Sequence, residues 1–310
     1  MDKHQASFYR TEDEFVSDLV PFVLEGVESG EAVFAVGIPE NVDALRSALG
    51  NASNEVLFGD AMDWYVKPAQ TIGAYLWFIN EQLAAGRHGV RIVGEVVWPD
   101  RYVDLQREWI RYEISLNSTL ADLPVWTVCT YNIEHLAPSR IDAARATHPY
   151  VIEHGVVSAS ESYTSPDQML VDQIVRMPLP TRDEGRRFDA GDIVGPIAWV
   201  IEHARRAGLT EDVQSNVAAA VSEIVEEATA HASGPVLVAA WIDEGGDFVC
   251  QIEDENSTPP DPLAGYRPPP LPDAPDDWGL WLARHLSDLL EVGIGSRGTA
   301  VRLKMRRSLA

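Results

Sequence analysis

The sequence predicts an α/β protein of two units, a parallel sheet covered by helices on both faces followed by an α/β sandwich. Three observations carry this prediction. A chain of 310 residues is too long for one simple core and fits two domains of ordinary size. The first half alternates amphipathic helical segments with short, continuously apolar strands, the pattern of a sheet buried on both sides. The second half runs helix, helix, strand, strand, a proline-rich stretch, helix and strand. The expected boundaries are 1–157 and 189–310, with 158–188 as a linker.

Each element has a local reason. Between Glu12 and Glu28, Phe15, Leu19, Phe22, Val23 and Val27 share one helical face. Ala32 to Gly37 is an apolar strand, and Pro39, with its fixed φ, opens a helix to Leu49. Ala69 to Ala84 is helical and closed by Gly86. Val90 to Glu95 is a strand, Asp104 to Leu120 a helix and Val125 to Tyr131 a strand. Ser158 to Pro166 lacks periodicity, and Met177 to Pro180 is a proline-containing break. Two helices follow, Asp192 to Ala207 and Thr210 to Ala232, the second with Thr210 as its N-cap. Val236 to Ile242 and Phe248 to Glu253 are strands around a turn at 244–247. Ser257 to Pro275 is too rich in proline for a helix and is expected to be a mobile lid. Leu280 to Leu290 is expected as the last helix and Ala300 to Met305 as the last strand.

Composition excludes several functions. Lys and Arg total 24 against 48 Asp and Glu, a formal net charge of -24. DNA binding needs clustered cations to replace phosphate counterions, so it is not expected, nor is docking on an anionic membrane. A basic protein partner suits this charge. The two cysteines, Cys129 and Cys250, stand far apart with no local Cys or His partner, so no structural metal site is expected. The amino-terminal residues carry no basic region followed by an apolar stretch, and no apolar run reaches the ~20 residues of a membrane span. The expected location is the cytoplasm.

In the second half, the long helix reads Ser222-Glu223-Ile224-Val225-Glu226-Glu227-Ala228-Thr229-Ala230-His231. Asp254 and Asn256 follow the strand pair, Gly279-Leu280 opens the next helix, and Gly298-Thr299 precedes the last strand. In this order, the residues from Asp189 to Arg306 resemble the GHKL-type (Bergerat) ATPase domain of the RsbW/SpoIIAB anti-sigma factors, which are serine kinases. The resemblance implies an ATP and Mg²⁺ site. Glu223 would be its catalytic base, Asp254 would read the adenine amino group, and Asn256, Gly279, Leu280, Gly298 and Thr299 would complete the nucleotide contacts. The chain departs from that pattern in one pocket. Glu227 stands where the family has its Mg²⁺-binding Asn, Asp277 replaces the first lid glycine, and Asn256 replaces another glycine. Two of these changes add negative charge beside a triphosphate, so the expectation is a pseudokinase rather than an active enzyme.

In the first half, His4 to Tyr9, Glu25 to Glu31, Gly94-Glu95 before Trp98, Tyr112-Glu113 with Asn117, Cys129-Thr130-Tyr131-Asn132 and Thr147-His148-Pro149 resemble the MEDS sensory domain. The resemblance implies a RecA/KaiC-like parallel sheet lacking a phosphate loop, and the sensing of a small organic signal. Ligands of parallel sheets usually sit beyond the carboxyl ends of the strands. The expected sensory pocket therefore combines His4, Glu95, Trp98, Tyr112, Cys129, Tyr131 and His148.

Together the two resemblances imply a cytoplasmic regulator of the RsbA-family anti-sigma type. A sensor would control a domain that binds a sigma factor or a STAS-domain antagonist and so regulates transcription. An active serine kinase and a small-molecule-binding scaffold are the alternatives, and a homodimer is compatible with either.

Overall fold

A computed structural model describes residues 3–97, 103–180, 185–231, 234–255, 261–267 and 279–307. It divides into two compact units, Met1–Met169 and Leu170–Ala310. No helix among the described residues is long and apolar enough to cross a membrane.

The first unit begins with β1 (His4–Tyr9), α1 (Glu12–Glu28), β2 (Ala32–Gly37), α2 (Pro39–Leu49), a 3₁₀ turn and β3 (Val56–Asp60). It continues with α3 (Ala61–Trp64), α4 (Pro68–Ala84), β4 (Val90–Gly94), α5 (Val103–Thr119) and β5 (Val125–Asn132), then α6 (Pro138–Thr147), β6 (Tyr150–Glu153) and β7 (Val156–Ala159). The sheet order is β3-β2-β4-β5-β1-β6-β7, parallel throughout except for the β6–β7 pair. The sequence pattern assigns no element to His4 to Tyr9. The structure makes it a central strand between β5 and β6, because its six residues are all buried.

Register decides what each face of that strand does. His4, Ala6 and Phe8 pair with Thr127, Cys129 and Tyr131 on β5, so these side chains share one face. Ser7 and Tyr9 point the other way, where Ser7 donates to Asp18 on α1 at 3.1 Å and Tyr9 packs edge-on against Phe15. That second face carries the apolar core of Phe15, Leu19, Val23, Val33, Leu45 and Val128. Thr11 caps α1 by accepting from the Glu14 amide. One charged group crosses this core. Arg91 on β4 donates to Glu31 at 2.5 Å, to Glu25 at 2.9 Å and to the Phe22 carbonyl at 2.9 Å.

The second unit contains β8 (Val175–Arg176), β9 (Arg186–Phe188), α8 (Val194–Arg206), α9 (Glu211–His231), β10 (Val236–Ile242) and β11 (Phe248–Glu253). It ends with α10 (Gly279–Leu286), β12 (Leu289–Ile294) and β13 (Thr299–Met305). A further helix, α7 (Pro166–Gln173), precedes β8. The sheet order is β8-β12-β13-β11-β10-β9, and only β8–β12 is parallel. Val217, Val221, Ile224 and Val225 of α9 and Ala283 of α10 pack on the sheet residues Val238, Cys250, Ile252 and Leu303.

Three expectations change here. The last helix stops at Leu286 rather than Leu290, because Ser287 turns back to donate its hydroxyl to the Ala283 carbonyl at 2.7 Å. Leu289 to Ile294 then pairs with β13 as a strand. The stretch 158–188 is not an irregular linker throughout, since it supplies part of β7, the helix Pro166–Gln173, β8 and β9. The expected lid falls mostly outside the described residues, but 261–267 is anchored. Arg284 stacks over the buried Tyr266 ring at 4.3 Å and donates to the Ala264 carbonyl at 2.7 Å.

Removing one partner of a buried ion pair leaves an uncompensated charge, at about 3–5 kcal/mol. Glu31→Ala leaves Arg91 with the exposed Glu25 as its remaining carboxylate partner among the described residues and is therefore expected to destabilise the first unit by up to about that amount. The measurement is the urea midpoint followed by far-ultraviolet circular dichroism, with Glu28→Ala on the exposed end of α1 as the neutral comparison.

Candidate functional site

In the second unit, helical spacing sets the geometry. Glu226 and Glu227 lie one turn beyond Glu223 on α9, and all three line a cleft of about 470 Å³. Gly279, at the start of α10, closes the opposite wall. A Cβ there would stand 3.5 Å from the Glu223 carbonyl and 3.7 Å from the Glu227 carboxylate, so this glycine brings the helix start close to both residues. None of the described residues lining the cleft is Lys or Arg. Partial burial raises the pKa of Glu223, and the charge on Glu226 adds to the rise.

The remaining residues expected at a nucleotide site lie along the sheet end. Asp254 is buried, and its backbone N–H donates to the Thr299 carbonyl at 3.0 Å. The Gly298 carbonyl accepts from the Gly295 N–H in the turn between β12 and β13. Leu280 packs on the apolar core. Asp254, Gly298 and Thr299 are not among the described residues lining the carboxylate cleft, and Asn256 and Asp277 lie outside the described residues. The sequence reading missed Glu253. It is fully buried, accepting from the Ser296 N–H at 3.0 Å, the Ser296 hydroxyl at 2.7 Å and the Gln251 side chain at 2.6 Å. Its place beside Gln251 at the end of a largely apolar strand was the available signal.

In the first unit, the face of β1 and β5 that carries His4 and Cys129 meets α5 and the end of α6. His4, Glu113, Cys129 and His148 are all buried, and one donor atom from each lies within 4.8 Å of the others. The Cys129 sulfur is 3.5 Å from His4 Nε2 and 3.6 Å from a Glu113 oxygen. That oxygen is 3.4 Å from His4 Nε2 and 3.6 Å from His148 Nε2. The Tyr131 hydroxyl donates to the other Glu113 oxygen at 2.9 Å. Burial pushes the Cys129 thiol well above its usual range, with the Glu113 charge adding to it. Burial also holds His148 well below the usual histidine range, reinforced by His4. Beside the cluster, a cleft of about 520 Å³ reaches His4, Asn117, Thr127 and Lys3.

Residues 3–149 match the family model described as MEthanogen/methylotroph, DcmR Sensory domain (MEDS), and residues 189–305 match the histidine kinase-like ATPase domain model. The chain is a MEDS domain followed by a histidine kinase-like ATPase domain. No curated protein matches it.

The MEDS domain brings together four of the seven residues expected in its pocket, His4, Cys129, Tyr131 and His148. It turns one other, Glu95, away. Gly94 is in register with Cys129, so Glu95, one residue on, turns to the opposite face. There Glu95 accepts from the Tyr9 hydroxyl, from Asn41 and from the Ile38 N–H at 3.0 Å. Tyr112 belongs to an aromatic layer with Trp109 and Tyr65. Trp98 lies outside the described residues. The cluster is also not beyond the strand carboxyl ends, as expected. It sits between a sheet face and α5, with His4 at the amino end of β1. Glu113, at its centre, was visible in the sequence beside Tyr112 but carried no spacing signal.

For the ATPase-like domain, the raised pKa of Glu223 fixes a sign. The folded state binds the Glu223 proton more tightly than the unfolded chain, whose carboxyl titrates near 4.5. That contribution favours the fold at low pH and is lost as pH rises through the folded value. Glu223→Gln is thus expected to raise Tm modestly at neutral pH, with the gain vanishing below pH 4.5, as read by thermal melts at both ends of that range.

Proposed function

We propose that this chain is a signal-transduction regulator in which the MEDS domain controls an anti-sigma-type domain that works by binding a protein partner. The partner class is a sigma factor or a STAS-domain antagonist, and the outcome is regulation of transcription. The observation that carries this reading is the cleft of Glu223, Glu226 and Glu227 against Gly279. A histidine kinase-like ATPase domain makes ATP a plausible ligand. The residues present do not fit an ordinary Mg·ATP site. Carboxylates can ligate Mg²⁺, but Glu227 puts an extra negative charge where the family has a neutral amide. Two unit charges 4 Å apart at an effective dielectric of 20 repel by about 4 kcal/mol. Partner binding through the domain surface survives loss of nucleotide chemistry. The net charge of -24 suits basic segments of such a partner.

A serine kinase is the second reading, favoured by Glu223. Its raised pKa and its position beside the start of α10 suit a general base.

Calorimetric titration of ATP into the full chain, with and without Mg²⁺, separates the two. The regulator reading expects no micromolar Mg²⁺-dependent binding by the native chain and a gain of binding in Glu227→Asn. Micromolar Mg²⁺-dependent binding by the native chain, abolished turnover onto a partner serine in Glu223→Gln, and unchanged partner affinity would establish the kinase instead.

A further inference from the structure

We infer that His4, Glu113, Cys129 and His148 form a tetrahedral site for a divalent transition metal of the zinc class, buried in the MEDS domain. The argument begins with tautomers. The Asn117 amide nitrogen is committed to the Glu113 and Thr147 carbonyls, at 3.2 and 2.8 Å, so its oxygen faces His4 Nδ1 at 3.2 Å as an acceptor. His4 Nδ1 therefore carries the proton. His148 Nδ1 faces the Ala144 carbonyl at 2.8 Å, which also can only accept. As neutral imidazoles, both turn the lone pair of Nε2 towards the Cys129 sulfur and the Glu113 carboxylate, the arrangement in which histidine ligates a metal. His148 is 0% exposed, and its Nε2 has no hydrogen-bond partner.

Distances separate a metal from a proton. Four of the six donor separations run from 3.4 to 3.6 Å, and all six lie within 4.8 Å. A shared proton between nitrogen and oxygen needs about 2.7–3.2 Å. A tetrahedral ion with bonds of about 2.0–2.1 Å to N or O and 2.3 Å to S separates its ligands by about 3.3–3.7 Å. Charge agrees as well. A thiolate and a carboxylate neutralise a divalent ion, and two neutral imidazoles complete the shell, so the filled centre enters the core with no net charge. Nitrogen and sulfur donors select a borderline-soft ion over Mg²⁺ or Ca²⁺. Asn117, the Ala144 carbonyl and Tyr131 are the outer groups that orient the ligands.

The expectation that no metal would bind rested on the absence of locally spaced ligands. The four ligands come from β1, α5, β5 and the end of α6, and the fold alone assembles them. The site stands independently of whether the ATPase-like domain binds nucleotide.

The test uses the full chain, stripped with a chelator and checked by circular dichroism, then titrated with Co²⁺. The expected result is saturation at one equivalent, with ligand-field bands of tetrahedral intensity and a thiolate-to-cobalt charge-transfer band. Zn²⁺ should displace the cobalt. Cys129→Ser is expected to lose the charge-transfer band. Asn117→Ala, which disturbs only positioning, is expected to keep the band while weakening zinc about 10- to 100-fold in chelator competition. If Cys129→Ser does not fold, the native spectrum decides alone. A folded native chain that takes up no stoichiometric cobalt, or gives a weak six-coordinate spectrum without a thiolate band, overturns the site.

Discussion

A carboxylate buried under a parallel sheet is the constraint around which the MEDS domain is built. Glu113 is 2% exposed, and a carboxyl group at that depth requires polar partners. Tyr131 supplies one hydrogen bond, while His4, His148 and Cys129 surround the other oxygen. Each of these partners depends on a larger feature. Cys129 and His4 meet because β1 pairs with β5 in parallel register, and His148 arrives because α6 ends one residue before it.

The two domains treat negative charge in opposite ways. In the MEDS domain the charged cluster is closed and buried, which suits a centre that holds an ion and ties four elements together. In the ATPase-like domain the carboxylates of α9 line an open cleft. The groups fixed there are structural. Glu253 holds the β12–β13 turn, and Arg284 holds the 261–267 segment through Tyr266 and the Ala264 and Pro262 carbonyls. The open acidic cleft is the feature on which the proposed partner-binding role rests.

Much of the fold was legible because strong periodicity needs no tertiary information. The apolar face of Glu12–Glu28 and the continuous strands Ala32–Gly37 and Val90–Gly94 are local signals. β12 was not legible, because Leu286 to Leu290 also fits the helical period and only pairing with β13 resolves it. The site was legible unevenly. His4, Cys129 and His148 came from resemblance, whereas Glu113, though part of the same resemblance beside Tyr112, was not placed in the pocket, since a Glu on a helix reads as solvated. Glu95 was misplaced for a reason that register alone reveals: one residue beyond Gly94, it faces the other side of the sheet. Metal-ligand spacing is a local test, and ligands at 4, 113, 129 and 148 escape it.

The most direct measurement is X-ray absorption at the zinc edge of the full chain reconstituted with one equivalent of Zn²⁺. The account predicts four-coordinate zinc with one sulfur at about 2.3 Å and three nitrogen or oxygen neighbours at about 2.0–2.1 Å. A shell of six light atoms, or one with two or more sulfurs, contradicts a centre built from His4, Glu113, Cys129 and His148.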